Sequence, residues 1–583
     1  MTIASRTRAP WFVLGVLVLC CAWLIAAPAT AQEPAPTLVP PTLVPQPQDA
    51  MIDALPSESG VARIQRDAKV RIGILYNEPP FGVLNERGEV SGFDADLARA
   101  LAEAWGVDLE FVQVTRQTAL DMLVAGEVDL LLAALPHMRA LDARVEFSQA
   151  YYPTDQAMLV REDDSAATLA DMANRRVGVV VGTRAEQAVA YWQQRSGIAV
   201  TVQTYLTIDQ AIVALVNNET DGVVANRIRA VRALTQPGIA RFLDEPVMHE
   251  PYAIAVRRQD VNLRNLVDKT LQFLEASGKL NDIHRASFNN AAFPNEGWIN
   301  WANVGDEAPL PAQFGADIPF PTQYVIPRMQ GDGSLRVAGL SELPDDAPES
   351  DQRMTASGRA IVEAMAGRWG VNVVYVDGGV EQVANGAADL AAGVQADWNL
   401  AGQVDFTDAY TMRGEMLMVP ANSGINGFAD LRSRIVGVFA AEPDAADRVA
   451  RLAQSQSAIV RNTFSILREQ DAAFGMLVDN NYNAVFGDSV RLLPHVQAQP
   501  DLLRLIVGSD GQPFWYSRRY LHFAVPRNDI DFRLLVEYTL QELALDGTLA
   551  SALANVVPGD ELPPIDIWPG SSEYLGYNLT FRG

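Results

Sequence analysis

Cysteine is almost missing from this chain: of 583 residues only Cys20 and Cys21 carry a thiol, both inside an N-terminal apolar run. Once that run is removed, no disulfide framework, thiolate zinc site or cysteine nucleophile can be built. Histidine is nearly as scarce, with His137, His249, His284, His495 and His522 the whole supply. None is spaced i, i+4 and none sits in an H-E-x-x-H, so a histidine-built metal centre is not encoded. Asp479, Asn481 and Asn483 begin like a calcium loop, but Ala484 and Val490 stand where the turn glycine and the bidentate acid belong, so no metal is expected. The G-x-S-x-G elbow, the Walker A loop and the dinucleotide glycine fingerprint are absent as well, and no cofactor is expected. Basic blocks are lacking too. Against 45 Lys and Arg there are 71 Asp and Glu, a net charge of −26, which repels a polyanion and excludes nucleic acid as the primary partner.

What is present is a globular composition, 49% hydrophobic and 20% charged, long enough for about four folding units at roughly 150 residues each. Arg6 and Arg8 precede the apolar run Trp11–Ala27, and Ala29-Thr30-Ala31 follows it, the layout of an export signal cut after residue 31. An uncut signal would leave a membrane anchor. No later segment is apolar enough to span a bilayer. From Gln32 to about Arg66, with Pro-Thr-Leu-Val-Pro written twice, the chain reads as an extended tether. A second proline-rich zone, about 291–334, carries Trp298 and Trp301 and reads as a linker packed on its neighbours.

Between these zones short apolar runs alternate with helical periods. Val70–Leu75, Leu109–Val114, Val128–Leu135, Val177–Val181, Val200–Tyr205, Gly222–Ala225 and Tyr252–Val256 are strand-like, and Leu97, Leu101, Ala104 and Trp105 fall on one helix face. Strands separated by helices imply mainly parallel sheets in two α/β lobes. The series then repeats. VRIGIL at 70 returns as LRVAGL at 335, AEAWGVDLEFV at 102 as AGRWGVNVVYV at 366, VEFSQAYY at 145 as VDFTDAYT at 404, and LEASGKL at 274 as LALDGTL at 543. The nearly constant spacing predicts two copies of a bilobed domain, each folding as a separate unit.

The segments YNEPPFGVLNERGEVSGFDADLARALAEAWGV, AGEVDLLLAAL, VEFSQAYY, LADMANRRVGVVVGTRAEQA and PYAIAVRR resemble the family 3 solute-binding proteins, the amino-acid receptors of bacterial ABC importers. The resemblance covers 70–290 and continues more loosely over 335–555. It implies two tandem copies of a type II periplasmic-binding-protein fold, each a clamp that closes on a small solute between its lobes. The organisation that follows is 1–31 signal peptide, 32–66 tether, 67–290 solute-binding domain, 291–334 linker, 335–555 divergent second domain and 556–583 C-terminal tail. The implied partners are a small-molecule solute and the membrane subunits of an ABC transporter, and the implied location is secreted, periplasmic or cell-surface.

Matching the family's pocket residue by residue leaves gaps. Its carboxylate-binding Arg falls on Leu141 here and on Leu400 in the second copy, with Arg139 and Arg144 close by; its Ser or Thr falls on Pro136, which has neither hydroxyl nor N–H. Its ligand-covering aromatic falls on Glu78, followed by Phe81. Its Gly-Thr-Thr turn is Gly182-Thr183-Arg184, where a guanidinium at a helix N-terminus can replace the missing charge. Its ammonium-binding Asp is Asn226 in the first copy and Asp488 in the second. The candidate ligand-binding set is therefore Glu78, Phe81, Arg139, Thr183, Arg184, Asn226 and Asp488, and the expected solute is polar or anionic and differs from a standard free amino acid. Two other readings stay open: a dehydratase-type enzyme with Glu78 as a general acid of raised pKa, and a sensor or adaptor with a degenerate second copy.

Overall fold

The computed structural model describes residues 58–570 apart from 295–296, 443, 456–463 and 478–480. The export signal, the tether up to residue 57, Asp479 and the last residues of the tail lie outside the described residues.

The apolar runs become strands and the amphipathic segments helices. Phe93–Trp105 buries Leu97, Leu101 and Trp105 along one face and stops at Gly106, whose φ of 66° suits a residue without Cβ. The first lobe is a five-stranded sheet in the order Asp108–Val114, Lys69–Leu75, Leu130–Leu131, Tyr252–Arg257, Val145–Tyr152. The second orders Thr201–Tyr205, Arg176–Val180, Gly222–Asn226, Asp155–Arg161 and Ala240–Phe242, with Met248–His249 also pairing to Asp155–Arg161. The chain crosses between lobes at 153–154 and again at 250–251. The sheets are mixed and not mainly parallel: Tyr252–Arg257 runs antiparallel to both neighbours, and so does Asp155–Arg161. These are the strands that receive the chain from the other lobe. They enter from the cleft, whereas the parallel strands beside them run toward it.

The second series repeats these orders, without a counterpart of Met248–His249 among the described residues. One sheet runs Asn372–Val376, Ser334–Ala338, Leu390–Val394, Arg519–Pro526, Val404–Arg413; the other runs Phe464–Leu467, Val436–Phe439, Ala484–Asp488, Glu415–Pro420, Leu503–Leu505. The likeness reaches further at both ends than the sequence suggests. The end of the supposed tether is a helix, Gly60–Asp67, with Val61 and Ile64 buried, and its counterpart is Val325–Asp332 at the end of the linker. Both are tied down alike: Asp260 accepts from the Gly60 amide and Asp529 from the Val325 amide, each acid capping the long helix that closes its copy. Gly60–Asp67 is only two turns long and follows a Pro-rich stretch, and the Asp260 contact anchors its start beside the Ser59 cap.

The two copies are not beads on a string. All described residues fall in one compact unit, Gln46–Gly583, and the closing helices Val261–Ala276 and Ile530–Leu545 each reach the other copy with matched contacts. Arg258 pairs with Asp531, and the equivalent Arg527 donates to Asn262 at 2.6 Å. Arg139 donates to Gln541 at 2.8 Å, and the equivalent Trp398 donates to Gln272 at 2.8 Å. Arg139 lies over the Tyr538 ring and Lys269 over the Trp398 ring, cation and ring exchanged between the copies. At the centre Arg264 bonds Glu146 of its own copy and Asp405 of the other at 2.7 Å, while Arg533 reaches across to Glu146 at 2.9 Å. Such reciprocity is the mark of an isologous, two-fold interface. Removing one partner from a buried ion network costs roughly 3–5 kcal/mol, so the copies are energetically coupled. Linker and tail correspond too: the Trp301 and Trp568 amides both donate to a helix glutamine, Gln272 and Gln541.

Candidate ligand cleft

Between the lobes of the first copy lies a cavity of about 340 Å³ whose wall includes Arg116, Gln156, Thr183, Arg184, Asn226, Arg229, Glu250 and Tyr252. Each residue is delivered by a strand end. Arg176–Val180 leads through Gly182, at φ 72°, into the helix Arg184–Ser196, so Thr183 and Arg184 stand at the helix start; the Thr183 hydroxyl donates to the Val180 carbonyl at 2.7 Å. Gly222–Asn226 ends in Asn226, whose Oδ1 accepts from the Arg229 amide. Glu250 belongs to the second crossing and is 1% exposed.

Glu250 organises the floor. It pairs with Arg184 and accepts from Gln156 Nε2 at 2.6 Å and from Asn226 Nδ2 at 2.8 Å; Asn226 Nδ2 also donates to the Tyr252 hydroxyl at 3.1 Å. The negative charge missing at position 226 is thus supplied from position 250 and balanced by Arg184. Because Gln156 Nε2 serves Glu250, its buried Oε1 faces no partner among the described residues and is a free acceptor. Arg184 spends Nε on Glu250, and its two terminal nitrogens make no hydrogen bond among the described residues. At the mouth Glu78, from the first lobe, bonds Arg116 of its own lobe and Arg229 of the second, both at 2.8 Å, and Arg232 of the second lobe donates to the Pro79 carbonyl. The mouth is therefore held shut by ionic contacts. Burial works to raise the Glu78 pKa, but Arg229 and Arg116 together outweigh it and hold the carboxyl below its ordinary range.

The structure brings Thr183, Arg184 and Asn226 into one wall and sets Glu78 above it. It removes two other candidates. Phe81 is core, packed edge-on against Phe93, Tyr152, Tyr252 and Phe288, because an apolar ring between sheet and helix gains more from burial than from a polar cleft. Arg139 is 1% exposed and faces the second copy, where Glu542 and Gln541 take its terminal nitrogens and the Tyr538 ring lies against it. Arg144 sits on the surface with Asp121. Asp488 occupies the corresponding place in the second copy but is fully used: Arg413 and Arg519 bond one oxygen at 2.8 and 2.7 Å, and the other caps the Val490 amide. Arg519 stands where the first copy has Glu250, so the floor carries its acid at 250 in the first copy and at 488 in the second. Sequence reasoning missed Glu250, Gln156, Arg116, Arg229 and Tyr252. The available signal was the charged and polar residues flanking the crossings, at the ends of otherwise apolar strands.

This arrangement of lobes, crossings and cleft has counterparts among known proteins. The sequence profile of the bacterial extracellular solute-binding proteins, family 3, matches residues 70–290. Residues 70–290 belong to this family. The chain is 28% identical over 226 residues to the amino-acid-binding protein AabA of Dichelobacter nodosus, covering 37% of this chain and 88% of that protein. It is 28% identical over 204 residues to the glutamine-binding protein of Geobacillus stearothermophilus, 34% of this chain and 77% of the relative. To the L-arginine-binding protein of Pseudomonas aeruginosa it is 26% identical over 231 residues, 38% and 88%. A solved structure of an ancestral arginine-binding protein bound to arginine aligns with 29% identity, 38% of this chain, 99% of that chain and a TM-score of 0.31. Among the described residues, no helix is long and apolar enough to cross a membrane and no cluster of side chains is placed to hold a metal ion.

Proposed function

We propose that the chain is an extracytoplasmic receptor whose first copy captures a small polar solute with an anionic group and passes it to the membrane subunits of an ABC importer. The relatives' names, amino-acid-, glutamine- and L-arginine-binding, support a small polar solute, and the anionic character rests on the cleft itself. The carrying observation is the balance of the cleft: three guanidiniums, Arg116, Arg184 and Arg229, oppose two carboxylates, Glu78 and Glu250, and leave one cation in surplus beside the free Gln156 acceptor. An anion answers the first and an N–H or O–H the second. Position 141 offers no guanidinium, so the family's own way of holding an α-carboxylate is not available here. The reading as an enzyme loses its acid, because Glu78 is held ionised by two arginines and has no proton to give near neutral pH. The second copy, its anchor occupied by its own arginines, serves as the scaffold that braces the first. The domains run from helix to tryptophan, Gly60–Trp301 and Val325–Trp568.

A thermal-shift screen of the full chain tests this, since a solute at 100 times its dissociation constant stabilises by about 2.7 kcal/mol. The expected hits are anionic solutes, weakened by roughly 1–3 kcal/mol in Arg184→Ala and in Arg116→Gln. Stabilisation by neutral or cationic amino acids, undiminished in both variants, would return the cleft to the ordinary amino-acid receptors.

A further inference from the structure

A second cavity of about 340 Å³ lies between the copies, on the two-fold relation described above. Matched residues form its wall from both sides, Phe147 with Phe406, Asp268 with Glu537 and Trp301 with Trp568, and linker and tail close over it. Its charges do not match. Arg264 and Arg533 border it but are committed to Glu146 and Asp405. Four carboxyls remain. Asp268 and Glu537 accept from the backbone amides of Gln149 and Asp408, at 2.8 Å and at 3.0 and 3.1 Å, and Asp408 accepts from the Asp566 amide at 3.3 Å. Among the described residues only Asp268 of these four has a cation within ion-pair range, Arg264 Nε at 3.9 Å. Burial and then the neighbouring acids push Asp408 up; burial raises Glu537 and Asp566 and brings Asp268 to about 7.

An independent feature points the same way. His522, 3% exposed, is part of this wall, and its Nδ1 meets the Thr407 carbonyl at 2.8 Å. A carbonyl can only accept, so Nδ1 carries the proton. Burial lowers this imidazole to about 4 and keeps it neutral, which leaves Nε2 a bare acceptor without a hydrogen-bond partner among the described residues. Carboxylates and a bare imidazole nitrogen between Trp298, Trp301 and Trp568 call for a ligand that donates hydrogen bonds, carries positive charge and has an apolar body. A metal ion fits poorly, since no metal-holding cluster exists among the described residues.

We infer that this cavity between the copies is a second binding site, separate from the first-copy cleft, for a small aliphatic amine cation, held by Asp408, Glu537 and Asp566 with His522 accepting from it. The site belongs to the paired copies and exists in neither alone. Besides the acids and the two arginines, the ionisable groups at the cavity are His137, stacked on Trp568 and bonded to Asp142, and His249 on its outer side.

Calorimetric titration of the full chain with butane-1,4-diamine, and with butane-1,4-diol as the uncharged counterpart, tests the proposal. The diamine binds, more tightly at pH 8 than at pH 6 as the acids ionise, and the diol does not. Asp408→Asn combined with Glu537→Gln weakens the diamine by at least about tenfold, the size of one lost charge-assisted contact. The double variant also unfolds at a higher temperature without ligand, because like charges are removed, and Asp566→Asn serves as an independent second variant. Arg184→Ala leaves diamine affinity unchanged. Absence of diamine binding, binding indifferent to the carboxyl variants, or binding lost with Arg184→Ala would each overturn the assignment, the last by placing the amine in the first-copy cleft.

Discussion

Glu78 and Arg229 meet from opposite lobes at 2.8 Å, so this pair biases the first-copy cleft toward its closed form. Arg229 is 44% exposed, so the contact is screened by water and stabilises the closed form by about 1 kcal/mol, roughly a fivefold bias. Glu78→Gln should therefore shift the free protein toward open forms. Cysteine is otherwise confined to positions 20 and 21, so thiols introduced at Arg87 and Gln194, exposed on the two lobes, can be spin-labelled selectively. The expected result is a longer and broader distance distribution in Glu78→Gln; an unchanged distribution would show that the pair does not hold the lobes. Single residues were only partly legible in the sequence. Arg184, Thr183 and Asn226 could be placed because strand ends and a helix start locate them. Arg139 could not, because a guanidinium three residues past a strand-end proline reads the same whether it faces a ligand or, as here, a second copy of the fold.

Six of the seven strand runs of the first copy were legible to within a residue at each end, Tyr252–Arg257 among them, because their apolar pattern survives in the sequence, whereas Val128–Leu135 keeps only Leu130–Leu131 as strand. The irregular segments were not. Linker and tail have no period, yet each carries a tryptophan into the same relation with a helix glutamine. The Trp568 ring stacks on His137 at 3.8 Å, and His137 stacks in turn on Phe147 at 4.2 Å, so the tail of the second copy completes the core edge of the first. Trp568 is 6% exposed, and truncating a buried indole costs about 3–5 kcal/mol. Trp568→Ala should lose about that much in urea unfolding and should destabilise the first copy along with the second. Hydrogen exchange resolved by peptide checks this: faster exchange in 145–152 is expected, and a loss of protection confined to the second copy would show that the tail does not brace its neighbour.

The internal repeat announced two copies, but not that they form a two-fold pair, because Arg264, Glu146, Asp405 and Arg533 look in sequence like ordinary charged residues on a helix or a strand. Their meeting depends on the crossing of two helices that no periodicity encodes. One consequence of so much buried charge concerns the entire chain. Burial is the leading cause that brings Asp94, Asp268, Asp529 and Glu537, spread over both copies, to about 7. Between the ordinary carboxylate range and pH 7 the folded chain then holds protons that the unfolded chain has released, so stability is lost as pH rises through about 7. Two sets of groups act in the opposite sense. Asp405 is held low, burial being outweighed by Arg264 and Arg533, and adds stability only as pH rises through the acid range, below about 4. His249, His284 and His522 are lowered by burial and add stability as pH rises, but only up to the ordinary imidazole value of about 6.5. Above pH 6.5 the histidine contribution fades and the raised carboxyls set the sign of the slope. The melting temperature of the full chain should therefore fall between pH 6.5 and pH 8, and Glu537→Gln, which keeps an acceptor for the Asp408 amide but cannot ionise, should make the fall shallower. A melting temperature that is flat or rising over that interval would mean that these carboxyls are ionised inside the folded protein and that water or a bound cation reaches them.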